Sequence, residues 1–390
     1  MPADEHTDLA IVGGGIIGLA VAWRARASGM RVSLFERDEL ARGASYVAAG
    51  MLAPVSEVEF GETGRKVLEL GLRSGEMWPG FAQELQEASG VQLSVRRTGT
   101  LLVARTEDEA RELERQYEFR RSLGLPVERL LPSEAREREP SLAPTLRLAL
   151  EAPEDHALDP RPVLTALRGV CDRAGVVLHE QTPVARIELD AAGERVSGLR
   201  LHSGELVAAE RVVLAAGAWT EALEGLPARA RVPIRPIKGQ IMRLREPAGA
   251  GLLTRVVRFE GGYLLPRGDG RYVLGATVEE RGFEFQPTVQ GVYELLRDAH
   301  ELVPGVSELE LQELSVGLRP GTPDNAPVMG PGALGGLIWA SGHYRHGILL
   351  APLTADLILG VLDPAREIPD AQAMLATCDP NRFSLAETLA

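Results

Sequence analysis

Apolar residues crowd the start of the chain in a fixed order. Leu9-Ala10-Ile11-Val12 is an unbroken apolar run, read as a buried strand. It stops at Gly13-Gly14-Gly15-Ile16-Ile17-Gly18, and the helix-forming stretch Leu19-Ala20-Val21-Ala22-Trp23 follows. A second apolar run, Val32-Ser33-Leu34-Phe35, ends at Glu36. Further on, Thr106-Glu107-Asp108-Glu109 is a capping-box pattern that opens a polar, arginine-rich helix through about residue 123. Asp159-Pro160 reads as the N-cap and first residue of a helix to Arg173, with Gly175 beyond its end. Short alternating segments at 176–179, 184–189, 196–202 and 206–208, with turns at Gly193 and Gly204, predict a meander. Residues 211–217 predict a buried strand ending at a glycine, and Thr288 caps a helix to about residue 302. Residues 336–342 predict a strand that runs into a glycine turn. An amphipathic helix is expected at 348–362 and a ragged tail from Asp379.

The opening order of strand, glycine turn, helix, strand and acid is that of a dinucleotide-binding unit. Gly13 permits the sharp turn, Gly15 lets the backbone approach a pyrophosphate, and Gly18 lets helix and strand pack closely. Ile16 and Ile17 begin the helix whose unpaired N–H groups face the phosphates. Glu36 stands 18 residues past Gly18, near the roughly 20 expected for a carboxylate that binds ribose hydroxyls. An acid there repels a 2′-phosphate, which disfavours NADP. The motif leaves NAD and FAD both open.

Composition narrows the class. The 390 residues are 45% hydrophobic and 25% charged, a globular balance with chain enough for two or three domains. Cys171 and Cys378 stand far apart in no metal or redox spacing, which points to a reducing, cytoplasmic setting. The acidic start lacks a signal-peptide pattern, and the apolar stretch at 9–23 is too short and glycine-broken for a membrane span. A net charge of −13 gives nucleic-acid binding no global support. No paired carboxylates, Ser-His-Asp order or Cys-His pair is evident, so a cofactor is expected to carry the chemistry.

Four further segments carry candidate chemistry. The strand at 212–217 ends in small residues and Gly217, with Trp219 just beyond, and would let backbone pass close to a cofactor. After the meander, this tilts the reading toward FAD. The stretch 42–52 is rich in small residues and suits a chain lying flat on a ring system. Ser341-Gly342-His343-Tyr344-Arg345-His346-Gly347-Ile348 is a glycine turn entering a helix, whose N–H groups would stabilise negative charge on a reduced flavin. His343 and His346 lack a third partner for a metal, and a packed His343 is favoured over a base. Gly317-Leu318-Arg319-Pro320-Gly321-Thr322 fixes an arginine between rigid elements. Its fork could hold a carboxylate, but on the residues alone a structural salt bridge is favoured. Tyr263, in Gly262-Tyr263-Leu264-Leu265-Pro266-Arg267, could present its hydroxyl to a substrate, although strand tyrosines more often pack.

Together these segments resemble the D-amino acid oxidase superfamily of FAD enzymes, most nearly its branch of bacterial glycine oxidases of thiamine biosynthesis. The resemblance runs from Asp8 to about residue 362. It rests on residues 44–52, Ile237-Lys238-Gly239-Gln240, Tyr263-x-x-Pro-Arg267, residues 317–322 and residues 342–349. It implies a Rossmann-type FAD-binding domain of α/β class interleaved with an α+β substrate domain built on an antiparallel sheet with helices. The expected division is 1–53, 141–225 and 331–375 for FAD, 54–140 and 226–330 for substrate, and a tail at 376–390. It makes Arg319 the substrate-carboxylate residue, Tyr263 a pocket residue and Arg345 a residue of the flavin-side loop near the substrate. It puts Glu36 and Arg37 at the ribose and Val184 at the adenine. Ala44, Ser45, Ala49, Gly50 and Met51 would lie along the flavin, and His343, Tyr344, Arg345, His346, Gly347, Ile348 and Leu349 at the isoalloxazine. The absence of a cysteine at 317–318 and of a lysine at 272–275 implies non-covalent FAD and the glycine oxidase branch. Gly261 and Val278 are smaller than the branch often carries, which leaves the substrate size limit open.

The implied reaction oxidises glycine, with sarcosine and small D-amino acids behind it. Hydride passes to flavin N5, giving the imine or glyoxylate, ammonia and, with O2, hydrogen peroxide. No nucleic-acid or membrane partner is expected, and a homo-oligomer is. Three other readings stand beside it: a dehydrogenase passing electrons to a quinone or carrier, a flavin domain acting on a glycine-like group in tRNA, and an NAD-linked dehydrogenase or non-catalytic nucleotide binder.

Overall fold

The structure, a computed structural model, describes residues 7–247 and 251–383. Its first sheet has Thr7–Val12 near the centre, paired in parallel with Val32–Phe35 on one side and Leu206–Leu214 on the other. Val177–His179 extends the sheet beyond Val32–Phe35, and Leu337–Ser341 extends it beyond Leu206–Leu214. Val328–Pro331 closes that edge antiparallel. Leu9, Ala10 and Ile11 have no exposed surface, as continuous apolar strands covered on both faces require. The meander Val184–Leu189, Val196–Leu201 and Leu206–Leu214 joins this sheet. The segments expected separately at 206–208 and 211–217 are one strand, pairing antiparallel at its start and parallel at its end.

Helix Ile16–Ala27 packs on Pro160–Ala174 and on Ala351–Leu362. The last of these differs from expectation. It begins at Ala351 and is buried on nearly all sides, because it is wedged between Ile16–Ala27 and a long helix, Glu62–Ser89. An apolar surface all round replaces amphipathicity in such a position. Glu62–Ser89 carries Pro79 and several glycines, which hide its periodicity in the sequence. One of these glycines has a packing reason: a Cβ on Gly71 would lie 3.0 Å from Pro54 Cβ and 3.3 Å from Leu349 Cδ2.

The second sheet runs, from edge to edge, Glu310–Gly321, Arg235–Arg245, Arg271–Gly275, Gly262–Pro266, Val256–Phe259, Thr100–Ala104, Leu148–Ala152 and Glu128–Leu130. All neighbours are antiparallel except Val256–Phe259 with Thr100–Ala104. Helix Val289–Leu302, capped by the Thr288 side chain, packs on it. Leu148–Ala152 therefore belongs to this sheet, and the chain returns to the first sheet later than the expected residue 141. The start of the expected tail is packed rather than ragged: Cys378 is buried, its carbonyl accepts from Met329 N, and Arg382 pairs with Asp324 at 2.9 Å. Residues 384–390 of that tail lie outside the described residues. No described helix is long and apolar enough to cross a membrane.

A charge cluster ties the halves together. Glu313 accepts from Arg161 Nη2 at 2.7 Å and lies 3.7 Å from Arg243 Nε, while the Arg161 guanidinium sits 3.9 Å above the Tyr46 ring. The hydrogen bond from Arg161 is the main reason that the Glu313 carboxyl falls from 4.5 to about 2. Its side chain is 37% exposed, so screening leaves about 1 kcal/mol of net stabilisation. A folded-state pKa below the unfolded one gives stability that is complete above pH 4.5 and is lost as pH falls toward 2. Glu313→Gln should therefore lower the unfolding free energy by about 1 kcal/mol at pH 7 and by much less at pH 3, read from denaturant melts at the two pH values.

Candidate functional site

The two sheets enclose a cavity of about 1540 Å³. Its nucleotide end is built by close backbone approach. Gly13 has φ +109°, and a Cβ there would lie 2.4 Å from Ala215 O, so neither the conformation nor the space admits a side chain. A Cβ on Gly18 would stand 1.9 Å from Gly13 O. Gly15, the N-cap of Ile16–Ala27, has only Ser45 Oγ near its missing Cβ, at 3.4 Å, and opens to the cavity. Ser45 Oγ accepts from Ile16 N at 3.2 Å, and Glu36 Oε2 accepts from Gly14 N at 2.8 Å. A carboxylate has further lone pairs, so Glu36 can hold the turn and still accept from hydroxyls.

Along the middle, Ala44, Ser45, Ala49, Gly50 and Met51 line one wall. Arg267 fixes this wall by donating to Ala49 O at 2.7 Å and to Leu158 O, and burial drives its guanidinium down to about 10. Gly347 and Ile348 line the cavity opposite. Among the described residues their backbone N–H groups have no hydrogen-bond partner, and the helix Ala351–Leu362 follows directly. Open backbone donors in the turn just ahead of a helix N-terminus favour negative charge.

At the far end stands Arg319. It lies opposite Ile237 in the strand pairing and leans over Gly239, where a Cβ would be 2.5–2.7 Å from the guanidinium. Its Nη1 donates to Thr277 O at 3.0 Å. Among the described residues no carboxylate pairs with it, so the salt bridge favoured on the residues alone is absent. Burial lowers its pKa, and the charge of Arg345 adds to that effect. Tyr263 lines the same end, and burial raises its pKa, which keeps the hydroxyl a donor. Arg345 lies at the exposed rim.

Comparison with known proteins matches this arrangement. The model of the DAO family, FAD dependent oxidoreductase, covers residues 8–359. The chain belongs to the DAO family of FAD-dependent oxidoreductases. It is 36% identical over 358 residues to the glycine oxidase of Geobacillus kaustophilus, spanning 91% of this chain and 93% of that protein. The crystal structure of glycine oxidase from Geobacillus kaustophilus superposes with a TM-score of 0.86 over 94% of this chain and 96% of that one. The bifunctional protein ThiO/ThiG of Trichormus variabilis is 34% identical over 90% of this chain, which spans only 52% of that longer protein.

The residues present fit FAD. The cavity is long enough to run from the glycine turn to Arg319, Gly15 leaves room beside a helix N-terminus, and the middle wall is flat and small. Val184, Arg37, Gly217 and Trp219 line the nucleotide half, and His343, Tyr344 and Arg345 line the other. Four residues expected to touch the cofactor do not line the cavity. Gly18 is packed under Gly13 O, and Gly342 serves a left-handed turn at φ +70°. His346 turns away, with Nδ1 3.7 Å from Glu57 Oε2, beside a separate cavity of about 20 Å³. Leu349 faces Glu62–Ser89, where its carbonyl accepts from Ser74 Oγ and Trp78 Nε1. His343 is buried against Thr354, its Nε2 2.9 Å from Oγ1, and burial pushes its pKa down to about 3.

Other residues were not legible as site residues. Arg258 and Glu57 line the cavity as a pair at 3.0 Å, Glu57 on the Arg319 side. Behind Glu57, the buried Arg120 donates to Val55 O and Ser56 O, while the buried Asp155 accepts from Val55 N and Ser56 N. These groups come from four separate stretches of chain and share no spacing. The glycine geometry gives a direct test. Gly15→Ala should fold with an unchanged apoprotein melting temperature and bind FAD roughly tenfold or more weakly, by flavin fluorescence titration. Gly18→Ala should lower the apoprotein melting temperature as well.

Proposed function

We propose that this chain oxidises the amine of a small amino acid, glycine first, then sarcosine and small D-amino acids, with O2 as electron acceptor. Glycine, water and O2 become glyoxylate, ammonia and hydrogen peroxide. The observation that carries this reading is Arg319, a desolvated guanidinium with no carboxylate partner among the described residues, at the opposite end of the cavity from the phosphate-binding turn. Such a fork takes a substrate carboxylate bidentately. The identity to glycine oxidases supports the choice of glycine.

Bound FAD supplies the hydride acceptor. Arg319 fixes the carboxylate, and Tyr263, kept protonated by burial, donates a hydroxyl hydrogen bond to it. With the carboxylate fixed, the small wall at Ala49, Gly50 and Met51 lets the Cα–H approach without obstruction. Arg345 at the rim adds positive charge that attracts the anionic end. The open N–H groups of Gly347 and Ile348 support negative charge at the cofactor. His343, bonded to Thr354 and with a pKa of about 3, is too weak a base to deprotonate the ammonium, so the enzyme draws on the fraction of substrate whose amine is already neutral. The cavity lining contains no cysteine, which supports non-covalent FAD. A place beside the thiazole branch of thiamine biosynthesis draws support from the ThiO/ThiG relative. The two free, buried cysteines fit a cytoplasmic setting, and the exposed stripe Val289, Tyr293 and Leu296 fits contact between copies.

Peroxide release in air, without a dye, over glycine, sarcosine, D-alanine and D-proline tests the activity; turnover only with an added quinone or dye would overturn the oxidase reading. Arg319→Ala should raise KM for glycine about 100-fold or more while FAD stays bound, and an unchanged KM would remove its assigned role. In the unaltered enzyme kcat/KM for glycine should climb with pH toward the amine's own pKa, with no histidine shoulder near 6.5.

A further inference from the structure

Residues 276–288 leave the second sheet after Arg271–Gly275 and end at the cap of helix Val289–Leu302. Two residues without exposed surface, Lys238 and Gln240, hold the ends of this segment. Lys238 exchanges backbone hydrogen bonds with Glu279, and its Nζ donates to Gln286 O at 2.7 Å. The Gln240 amide donates to Glu279 Oε1 and Thr288 Oγ1 and accepts from Thr288 N. Between these anchors the segment swings outward. Phe283 and Phe285 are 47% and 44% exposed there, so neither serves a core.

Both phenyl rings meet one residue of the other half. Trp219, on the short helix Gly217–Ala222 after the first sheet, lies 5.9 Å from Phe283 and 6.0 Å from Phe285, the latter within 9° of parallel. The Arg37 guanidinium lies 4.0 Å from the Trp219 ring centre, and Arg37 follows Glu36 in the nucleotide half. Trp219, Phe285 and Arg37 all line the cavity. We propose that Phe283 and Phe285 are cofactor-retaining residues: they close on Trp219 across the rim between the two sheets, and this contact parts whenever FAD enters or leaves. Anchors without exposed surface at both ends let the outward bend move while Arg319 and its Thr277 contact stay in place. The large rings stand half in water even with the contact made, so little apolar burial opposes its parting. The proposal rests on FAD binding alone and holds whichever amine is oxidised.

The test measures FAD release from the holoenzyme on dilution, by the rise in free-flavin fluorescence. Losing two aromatic contacts should speed release about tenfold or more in the double variant Phe283→Ala/Phe285→Ala. Phe285→Trp should keep release near that of the unaltered protein. Phe60→Ala, which removes an exposed ring paired with Phe119 away from the cavity, should leave it unchanged. An unchanged release rate in the double variant overturns the proposal. So does faster release accompanied by an equal drop in the melting temperature of both apoprotein and holoenzyme, which would make the rings merely structural.

Discussion

Burying a guanidinium obliges the fold to meet its N–H donors, because a buried charged donor left unmet is among the more expensive defects a protein can carry. This chain buries several. Arg120 meets the demand with the carbonyls of Val55, Ser56 and Gln116, and Arg267 with those of Ala49 and Leu158. Burial brings both down to about 10. Arg319 is partly buried at the cavity wall, and among the described residues only its Nη1 finds carbonyls, Thr277 O at 3.0 Å and Lys238 O at 3.5 Å. The same physics thus does two things. Where carbonyls answer the guanidinium, it fixes a wall; where they do not, the unmet donors face the cavity and ask for an anion.

The wall fixed in this way is the stretch from Ala44 to Glu57. Leu52 and Val55 anchor it in the core, but at Ala44, Ser45, Ala49 and Gly50 its side chains are too small to do so. Arg161 and Arg243 fasten it at the Tyr46 carbonyl, Arg267 at Ala49, and Arg120 with Asp155 at 55–56. All five come from elsewhere in the chain. A surface smooth enough for a flat ring system and rigid enough to orient it is obtained by moving the fastening groups to the far side. Burial raises Asp155 to about 6, the reverse of Glu313, since it has little water to solvate its charge.

Much of this was readable in the sequence, for reasons that differ by region. The turn at 13–18 is local: the residues that make the contact are the ones that form the pattern, and Gly13 and Gly18 prove to be steric necessities. The helix at 160–174 declared its Asp159 cap and Gly175 end. Arg319 could be singled out but not decided, because only the fold shows that it leans over Gly239 and that, among the described residues, no carboxylate pairs with it. Glu62–Ser89 went unread in part because Gly71 and Gly75 serve a neighbour hundreds of positions away, Leu349. Arg258, Glu57 and Asp155 meet only in three dimensions. His346 and Leu349 belong to a stretch that does reach the cavity, but the turn before Ala351 rotates their side chains outward, and a motif does not record rotation.

Arg319 owes its direction to parity. Glu310–Gly321 pairs with Arg235–Arg245 from Arg235 opposite Gly321 through Arg245 opposite Glu310, with one irregularity at Arg243 and Leu244. Alternate residues of a strand face opposite ways, so a slip of one position carries every side chain to the other face. Losing or gaining a single residue between that irregularity and Pro320 would leave the arginine in the chain and the sheet intact while turning its charge away from the cavity. Two residues would restore the facing but shift it by a full repeat along the strand. The length of this edge strand, far from any ligand at its outer end, is therefore part of the binding site's specification.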